Sequence, residues 1–176
     1  MTPMTSSGTA SLTLPTDEQI LITREFDAPK ELVYKAWTTP ELLRRWWHAK
    51  RGEVTVVEID LRVGGKWRSV MVTPDGFEVG FHGEYREIVP NERLVSTETY
   101  EGLPEGVSEA DGTTLNTATF SETDGRTTVT LLIQAPNKTS RALSSVSGLR
   151  KPANTSTPRL TAGRSAISSN QRLAYG

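Results

Sequence analysis

Two stretches near the middle of the chain place large apolar residues and small polar residues on one face of an extended strand. Because side chains alternate between the two faces of a strand, Trp67, Ser69 and Met71 share one face. Phe81 and Tyr85 form a similar row, with a glycine between them that leaves room between the rings. Such rows predict the wall of a ligand pocket with a few polar points. Packing in an ordinary core explains any single residue equally well. The predicted cavity residues are Trp47, Trp67, Ser69, Met71, Phe81, Tyr85 and Glu98.

Residues typical of metal sites and nucleophilic catalysis are few. The two histidines, His48 and His82, lack a partner at metal-ligand spacing, and the chain has no cysteine. No serine stands in the G-x-S-x-G turn that exposes a nucleophile. The pair Gly64-Gly65 lacks the following helix and further glycines of a phosphate loop, so we interpret it as a turn. We therefore predict no catalytic residue, no metal and no cofactor.

Acid–base chemistry is the alternative that the sequence leaves open. Tyr85 or His82 would be the acid or base of an enzyme, but the sequence does not place charged groups together. Five charged strand residues could also take part in such chemistry, but we expect them to form ladders of opposite charge across strands on the surface. These residues are Arg62, Arg68, Arg86, Glu87 and Glu98.

Two short amphipathic helices are predicted within Asp27–Trp47. Their apolar positions repeat at the same helical spacing, ten residues apart. Asp27 and Thr39 each precede a proline and give each helix a start of the N-cap type. We expect the three tryptophans of this segment to anchor the helices on a sheet. The apolar positions are Leu32, Val33, Ala36 and Trp37 in the first helix, and Leu42, Leu43, Trp46 and Trp47 in the second.

Seven strands, mostly joined by short turns, account for the rest of the central region. Alternating patterns separated by turn residues predict an antiparallel meander, with the first strand preceding the helices. Residues 1–16 are rich in Thr, Ser, Gly and Pro and are expected to be a disordered leader, so the domain spans 17–136. The predicted strands are Gln19–Phe26, Glu53–Leu61, Lys66–Thr73, Glu78–Val89, Arg93–Tyr100, Thr113–Glu122 and Arg126–Gln134.

The last forty residues differ in composition from the domain. Residues 1–124 hold all 21 acids and 12 bases, a net charge of -9, whereas residues 125–176 hold no acid and 8 bases. Large apolar residues in 137–176 are widely spaced, so we expect a basic tail that is largely disordered, with only Ser140–Arg150 suited to a helix. The bases are spread out and almost without aromatic residues, which argues against nucleic-acid binding.

No charged-then-apolar leader and no long apolar run occurs in the sequence, which predicts a cytoplasmic protein without a membrane span. A seven-stranded sheet needs a cover on its apolar face, and two short helices are too small to provide it. A sheet face left partly open favours a homodimer.

Four segments together resemble the SRPBCC or START-like superfamily, and within it the homologues of the activator of the heat-shock-protein-ninety ATPase. The resemblance implies an α+β helix-grip fold, in which a curved antiparallel sheet wraps a long C-terminal helix around an apolar cavity. It implies a stress-related protein that binds an apolar small molecule without a defined reaction. The alternatives are an enzyme on the same fold (cyclase, aromatase or hydrolase) and a co-chaperone of a heat-shock ATPase. We expect no chaperone contact, since the resemblance includes no evident docking domain. The segments are FDAPKELVYKAWTTPELLRRWW, DLRVGGKWRSVMVTPDG, GEYREIVPNERLVSTETY and TATFSETDGRTTVTLL.

The tail departs from the resemblance, because family members continue with an acidic segment and then the long helix. Loss of every acid together with gain of Arg, Ser, Thr and Pro is typical of out-of-frame translation of a GC-rich gene. One hypothesis is therefore a frameshift within 137–140, and the other is a lineage-specific disordered tail. The other reading frames of the gene distinguish them, since a frameshift leaves an acidic amphipathic helix in one of those frames.

Overall fold

The computed structural model describes residues 10–47 and 51–144, which form one open antiparallel sheet with helices on it. The α+β helix-grip fold predicted from the sequence is confirmed for this part of the chain. The strands are β1 (Ser11–Thr13), β2 (Gln19–Phe26), β3 (Glu53–Ile59), β4 (Lys66–Val72), β5 (Glu78–Val89), β6 (Arg93–Tyr100), β7 (Thr113–Thr123) and β8 (Arg126–Gln134). The helices are α1 (Lys30–Thr38), α2 (Pro40–Trp46) and α3 (Lys138–Ser144).

The strand order is β1-β2-β8-β7-β6-β5-β4-β3, so a sequential meander from β3 to β8 is completed by the two N-terminal strands. The β7–β8 hairpin turns on Asp124 and Gly125, whose φ angles are 53° and 74°. Positive φ at both central residues is the geometry that matches a two-residue turn to the twist of a hairpin. This turn fixes the register of β8, and β8 in turn pairs with β2 along its whole length.

Helix α1 lies on the inner face of the sheet and begins without a side-chain cap of its own. The carboxylate of Glu122, on β7, instead accepts a hydrogen bond from the backbone N–H of Lys30 at 2.8 Å. Asp27, expected to cap this helix, forms an ion pair with Arg126 at 2.9 Å. A carboxylate at a helix N-terminus satisfies an orphan donor and complements the helix dipole.

The phase of α1 differs by part of a turn from the predicted one. Leu32, placed on the apolar stripe, is 53% exposed, whereas Tyr34 is only 8% exposed. The ring of Tyr34 stands edge-on to Phe120 at 5.5 Å between centroids. This aromatic contact, which helical spacing alone does not reveal, sets the side of α1 that faces the sheet.

Two apolar clusters fill the inner face. The first core lies beneath α1 and the second core lies near β3, β4 and the start of β5. The first core comprises Ile20, Ile22, Phe26, Ala28, Val33, Tyr34, Tyr85, Leu94, Ala118, Phe120, Val129, Leu131 and Ile133. The second core comprises Val54, Val57, Met71, Val79 and Phe81.

The ends of the described chain differ from the sequence-based expectation. Within the expected disordered leader 1–16, Ser11–Thr13 pairs with β2, and Leu12 packs against the first core. In the expected tail, Ser140 N–H donates to the Asn137 side chain at 2.9 Å, which caps the short helix α3. Residues 1–9 and 145–176 lie outside the described residues, so the remaining predictions for both ends stay predictions.

Candidate functional site

A cavity of about 130 Å³ lies between α2 and the inner face of the sheet. Nearly all of its wall comes from the two helices and the central strands, and most of the wall is apolar. The lining residues are Trp37, Leu43, Trp46, Trp47, Ile59, Trp67, Ser69, Tyr85, Leu94, Ser96, Glu98, Asn116, Ala118 and Leu131.

Helix α2 covers the cavity with large side chains and buries none of its residues completely. The indole N–H of Trp46 donates to the carbonyl oxygen of Ala36 at 3.0 Å, which ties α2 to α1. The rings of Trp37 and Trp46 lie 5.3 Å apart between centroids. Thr39, between the helices, precedes Pro40 and is extended, which is why the chain bends there. The tryptophans thus form a linked aromatic wall on the helix side.

The sheet side of the cavity carries a row of polar side chains that cross three strands. Tyr85 pairs with Ser96 across β5 and β6, and Ser96 pairs with Asn116 across β6 and β7. Directly paired side chains on one face lie close together, so these three polar groups are neighbours. Glu98 follows Ser96 by two residues on the same strand and therefore faces the same way. The cavity has an apolar cover and a polar patch on its floor.

Glu98 is the charged residue of this floor. Burial raises the pKa of Glu98 to about 7, although a hydrogen bond with Asn116 acts in the opposite direction. The side-chain oxygen Oδ1 of Asn116 accepts a hydrogen bond from the Thr114 hydroxyl at 2.9 Å. This bond orients the side-chain NH2 group of Asn116 as a donor toward the Glu98 carboxylate. Near neutral pH Glu98 can thus either hold or release a proton.

Tyr85 is the second ionisable group of the floor. Burial raises the pKa of Tyr85 to about 12, so the phenol keeps its proton at physiological pH. A protonated phenol donates and accepts hydrogen bonds but does not act as a base. Tyr85 is therefore suited to orienting a polar group of a ligand.

Trp67 lies across the neighbouring strand because residue 83 is a glycine. A Cβ atom at Gly83 would lie 2.7 Å from Trp67 Nε1 and 1.9 Å from the Thr97 carbonyl oxygen, closer than real contacts allow. The glycine was expected to leave room between the rings of Phe81 and Tyr85. The structure shows that it makes room for an indole from β4, which completes the cavity wall.

Of the seven predicted cavity residues, five line the cavity: Trp47, Trp67, Ser69, Tyr85 and Glu98. Met71 and Phe81 do not line it and lie in the second core, 2% and 3% exposed. The ring of Trp47 stands edge-on to Phe81 at 6.0 Å between centroids. Trp47 thus separates the cavity from the second core, and alternation along single strands does not reveal this partition.

The other candidate residues lie away from the cavity. The His82 ring contacts Glu101 at 3.3 Å, and the same carboxylate accepts from Arg68 Nε at 2.7 Å. Glu87 forms an ion pair across strands with Arg93, whereas Arg62 and Arg86 pair with residues two positions away along the chain and not across strands as expected. Glu98, also expected in a surface ladder, instead lines the cavity. His48 lies outside the described residues. Within 10–47 and 51–144, no group of three or more His, Asp or Glu side chains is arranged to hold a metal ion.

Nine lining residues were not among those predicted. One feature of the sequence could have identified several of them. On the inward faces of β6 and β7, polar residues interrupt the apolar alternation, as Ser96 and Glu98 do after Leu94. A polar residue on the buried face of a strand needs a partner or a cavity. The nine are Trp37, Leu43, Trp46, Ile59, Leu94, Ser96, Asn116, Ala118 and Leu131.

Comparison with known proteins places this arrangement among its relatives. A sequence model of the family described as "Activator of Hsp90 ATPase homolog 1-like protein" matches residues 27–148. No curated protein matches the chain. In the described part of the chain, no helix is both long and apolar enough to span a membrane.

Solved structures share the fold. A Rhodobacter sphaeroides protein is 24% identical with a TM-score of 0.68, and the match covers 77% of this chain and 85% of that one. A Mycobacterium smegmatis protein is 23% identical with a TM-score of 0.68, over 84% and 88% of the two chains. A Nitrosomonas europaea protein is 25% identical with a TM-score of 0.65, over 77% and 86%. These likenesses extend over most of each chain.

Proposed function

The chain belongs to the activator of Hsp90 ATPase homolog 1-like family, and from this premise we propose that it is a non-enzymatic protein that binds a small, largely apolar molecule. The proposed site is the cavity beneath α2. The family's fold is compatible with such binding, and the ligand follows from the size and chemistry of the cavity.

The observation that carries the proposal is the apolar cavity itself. Nine of its fourteen lining residues are Trp, Leu, Ile or Ala. A cavity of roughly 150 Å³ with apolar walls holds a benzene-sized molecule in other proteins, and the volume here is about 130 Å³. A ligand with one ring, or an equally compact apolar group, therefore fits.

Fluorobenzene is a suitable probe, followed by ¹⁹F NMR and by tryptophan fluorescence. All four tryptophans of the chain line the cavity, so occupancy should change the emission. Ala118→Leu adds volume at a lining residue that is 4% exposed and should weaken binding at least tenfold. Thr119→Leu, the adjacent and exposed position, is the matched control and should leave binding unchanged. Equal affinity of both folded variants would contradict the proposal.

One observation favours a second candidate function, an enzyme on the same fold. Two ionisable side chains, Glu98 and Tyr85, line the same cavity. A carboxyl group with a pKa near 7 is suited to general acid–base catalysis. In that case Glu98→Gln would abolish turnover of a bound substrate but leave fluorobenzene affinity unchanged. Binding of probes without any turnover supports the non-enzymatic proposal.

The family's description also names an ATPase activator, which gives a third candidate. We favour ligand binding because the cavity is the feature in which aromatic and polar groups converge. Addition of the purified full-length chain to Hsp90 should leave the ATPase rate unchanged. A stimulated rate that survives Ala118→Leu would assign the activity to another surface.

A further inference from the structure

We propose that the ligand of this cavity carries a positive charge and is a compact organic cation such as an alkylammonium. This inference rests on the proposed function, since it names the chemical class that the same cavity would take. Two features of the wall carry it: the aromatic rings and the carboxylate.

The aromatic part of the wall is unusually complete. Trp37, Trp46, Trp47 and Trp67 are all the tryptophans of the chain, and Tyr85 adds a fifth ring to the lining. The face of an aromatic ring carries negative electrostatic potential, strongest for tryptophan, and attracts cations. Five rings that line a small volume from both the helix side and the sheet side therefore give it an aromatic wall that favours a cation.

When it is ionised, the carboxylate of Glu98 adds a negative charge to this aromatic wall. Among the described residues that line the cavity there is no Lys, Arg or His, and Glu98 forms no ion pair with another described residue. A buried charge is costly unless a partner of opposite sign or several hydrogen bonds compensate it. Asn116 provides a hydrogen bond, but no positive charge. A cationic ligand would supply the missing counter-charge.

The size of the cavity limits the cation to a compact one. A volume of about 130 Å³ suits a trimethylammonium group with a short chain.

Cation binding should be coupled to the protonation of Glu98. Burial raises the pKa of this carboxyl to about 7, and a bound cation favours its ionised form. Affinity should therefore increase as the pH rises from 6 to 8. Among the described lining residues, the other ionisable group is Tyr85 on β5, which stays protonated throughout this range. The described lining residues of α1, α2, β3, β4, β7 and β8 carry no titratable group.

Choline and its neutral isostere 3,3-dimethyl-1-butanol provide the test, because the two differ in charge but hardly in shape. Tryptophan fluorescence of the full chain should give at least tenfold tighter binding of choline at pH 8, with a smaller preference at pH 6. Glu98→Gln should remove most of the preference and its pH dependence. Glu87→Gln, at an exposed residue paired with Arg93, is the control and should retain both.

The outcomes separate this inference from the proposed function. If fluorobenzene binds while choline binds no better than its isostere, the cation proposal is wrong and the apolar-ligand proposal stands. If none of the three probes binds, both proposals fail. If Glu98→Gln keeps the full preference for choline, the assignment of the counter-charge to Glu98 is wrong.

Discussion

The inner face of the sheet is covered in two ways by two consecutive helices. Helix α1 buries side chains against the sheet: Val33 is 0% exposed and Ala36 is 3% exposed. Beneath α2 there is a cavity, and α2 has no fully buried residue. One face of the sheet therefore holds both a packed core and the cavity that we propose as a binding site.

The side chains that the two helices bring to the sheet differ in burial. Helix α1 buries Val33, Tyr34 and Ala36. The α2 segment brings Leu43, Trp46 and Trp47, which line the cavity and are only partly buried. The cavity therefore lies where the helix side chains are incompletely buried.

The largest loss of stability is expected for a substitution in the core beneath α1. Phe120 is 3% exposed and contacts the rings of Tyr34 and Trp37 at 5.5 and 5.6 Å. Phe120→Ala should lower the free energy of unfolding by about 3–5 kcal/mol, because a large cavity would form in a packed core. Urea denaturation measures it. Phe77→Ala is the matched control at a ring that is 47% exposed, and equal losses would contradict the distinction between core and surface.

The second expected effect is a pH dependence of stability that arises from Glu98 in the cavity. The folded pKa of Glu98 is raised to about 7, so the folded state binds the proton more tightly than the unfolded chain does. The stabilisation of the folded state by protonated Glu98 is fully present below the ordinary carboxyl pKa, and it is lost as the pH rises through about 7. Allowing for partial access to solvent, the loss should be on the order of 1–3 kcal/mol. Urea midpoints between pH 4.5 and 8 measure it.

Glu98→Gln provides the comparison for this pH effect. The variant should remove this component of the pH dependence and be more stable than the parent above pH 7, since a neutral amide costs less to bury. A parent whose stability instead rises between pH 6 and 8 relative to the variant would show that Glu98 is stabilised in its charged form by a partner.

The smallest effect concerns the start of α1. Glu122→Ala removes the carboxylate that accepts from the Lys30 N–H and should cost about 1 kcal/mol, as loss of a helix cap does. Glu122→Gln keeps an acceptor and should cost less. Hydrogen exchange at the first turn of α1 is the direct measurement. Unchanged exchange in Glu122→Ala would mean that the contact does not hold the helix start.

The sheet was predictable because turn residues mark each strand boundary. All seven predicted strands occur, with bounds that differ by two residues or fewer. The short strand Ser11–Thr13 was missed, since it is stabilised by pairing with β2 and not by its own composition. The local sequence pattern predicts a strand when its neighbours along the chain and its turns define it. The pattern fails when pairing with a distant strand determines whether the segment is extended.

The site was less predictable because it depends on which elements face each other. Strand alternation identified Trp67, Ser69 and Tyr85 as inward residues, and they line the cavity. It could not distinguish them from Met71 and Phe81, since the boundary between the cavity and the second core is formed by residues of other elements, such as Trp47, which line one and pack against the other. The helix phase was wrong at Leu32 for the same reason, because tertiary contacts of Tyr34 outweigh helical periodicity.

The pairing of β2 with β8 has a consequence for the order in which the molecule can assemble. Gln19 pairs with Gln134, so the two strands in contact are separated by almost the whole domain. On a ribosome the meander from β3 to β7 can form hairpin by hairpin as it emerges, because each strand pairs with its predecessor. Helix α1 packs against β7 and β8, which are the last strands to be synthesised. The N-terminal strand β2 and helix α1 can therefore reach their final positions only after β8 has been synthesised. The cavity between the helices and the sheet is completed at the same late stage.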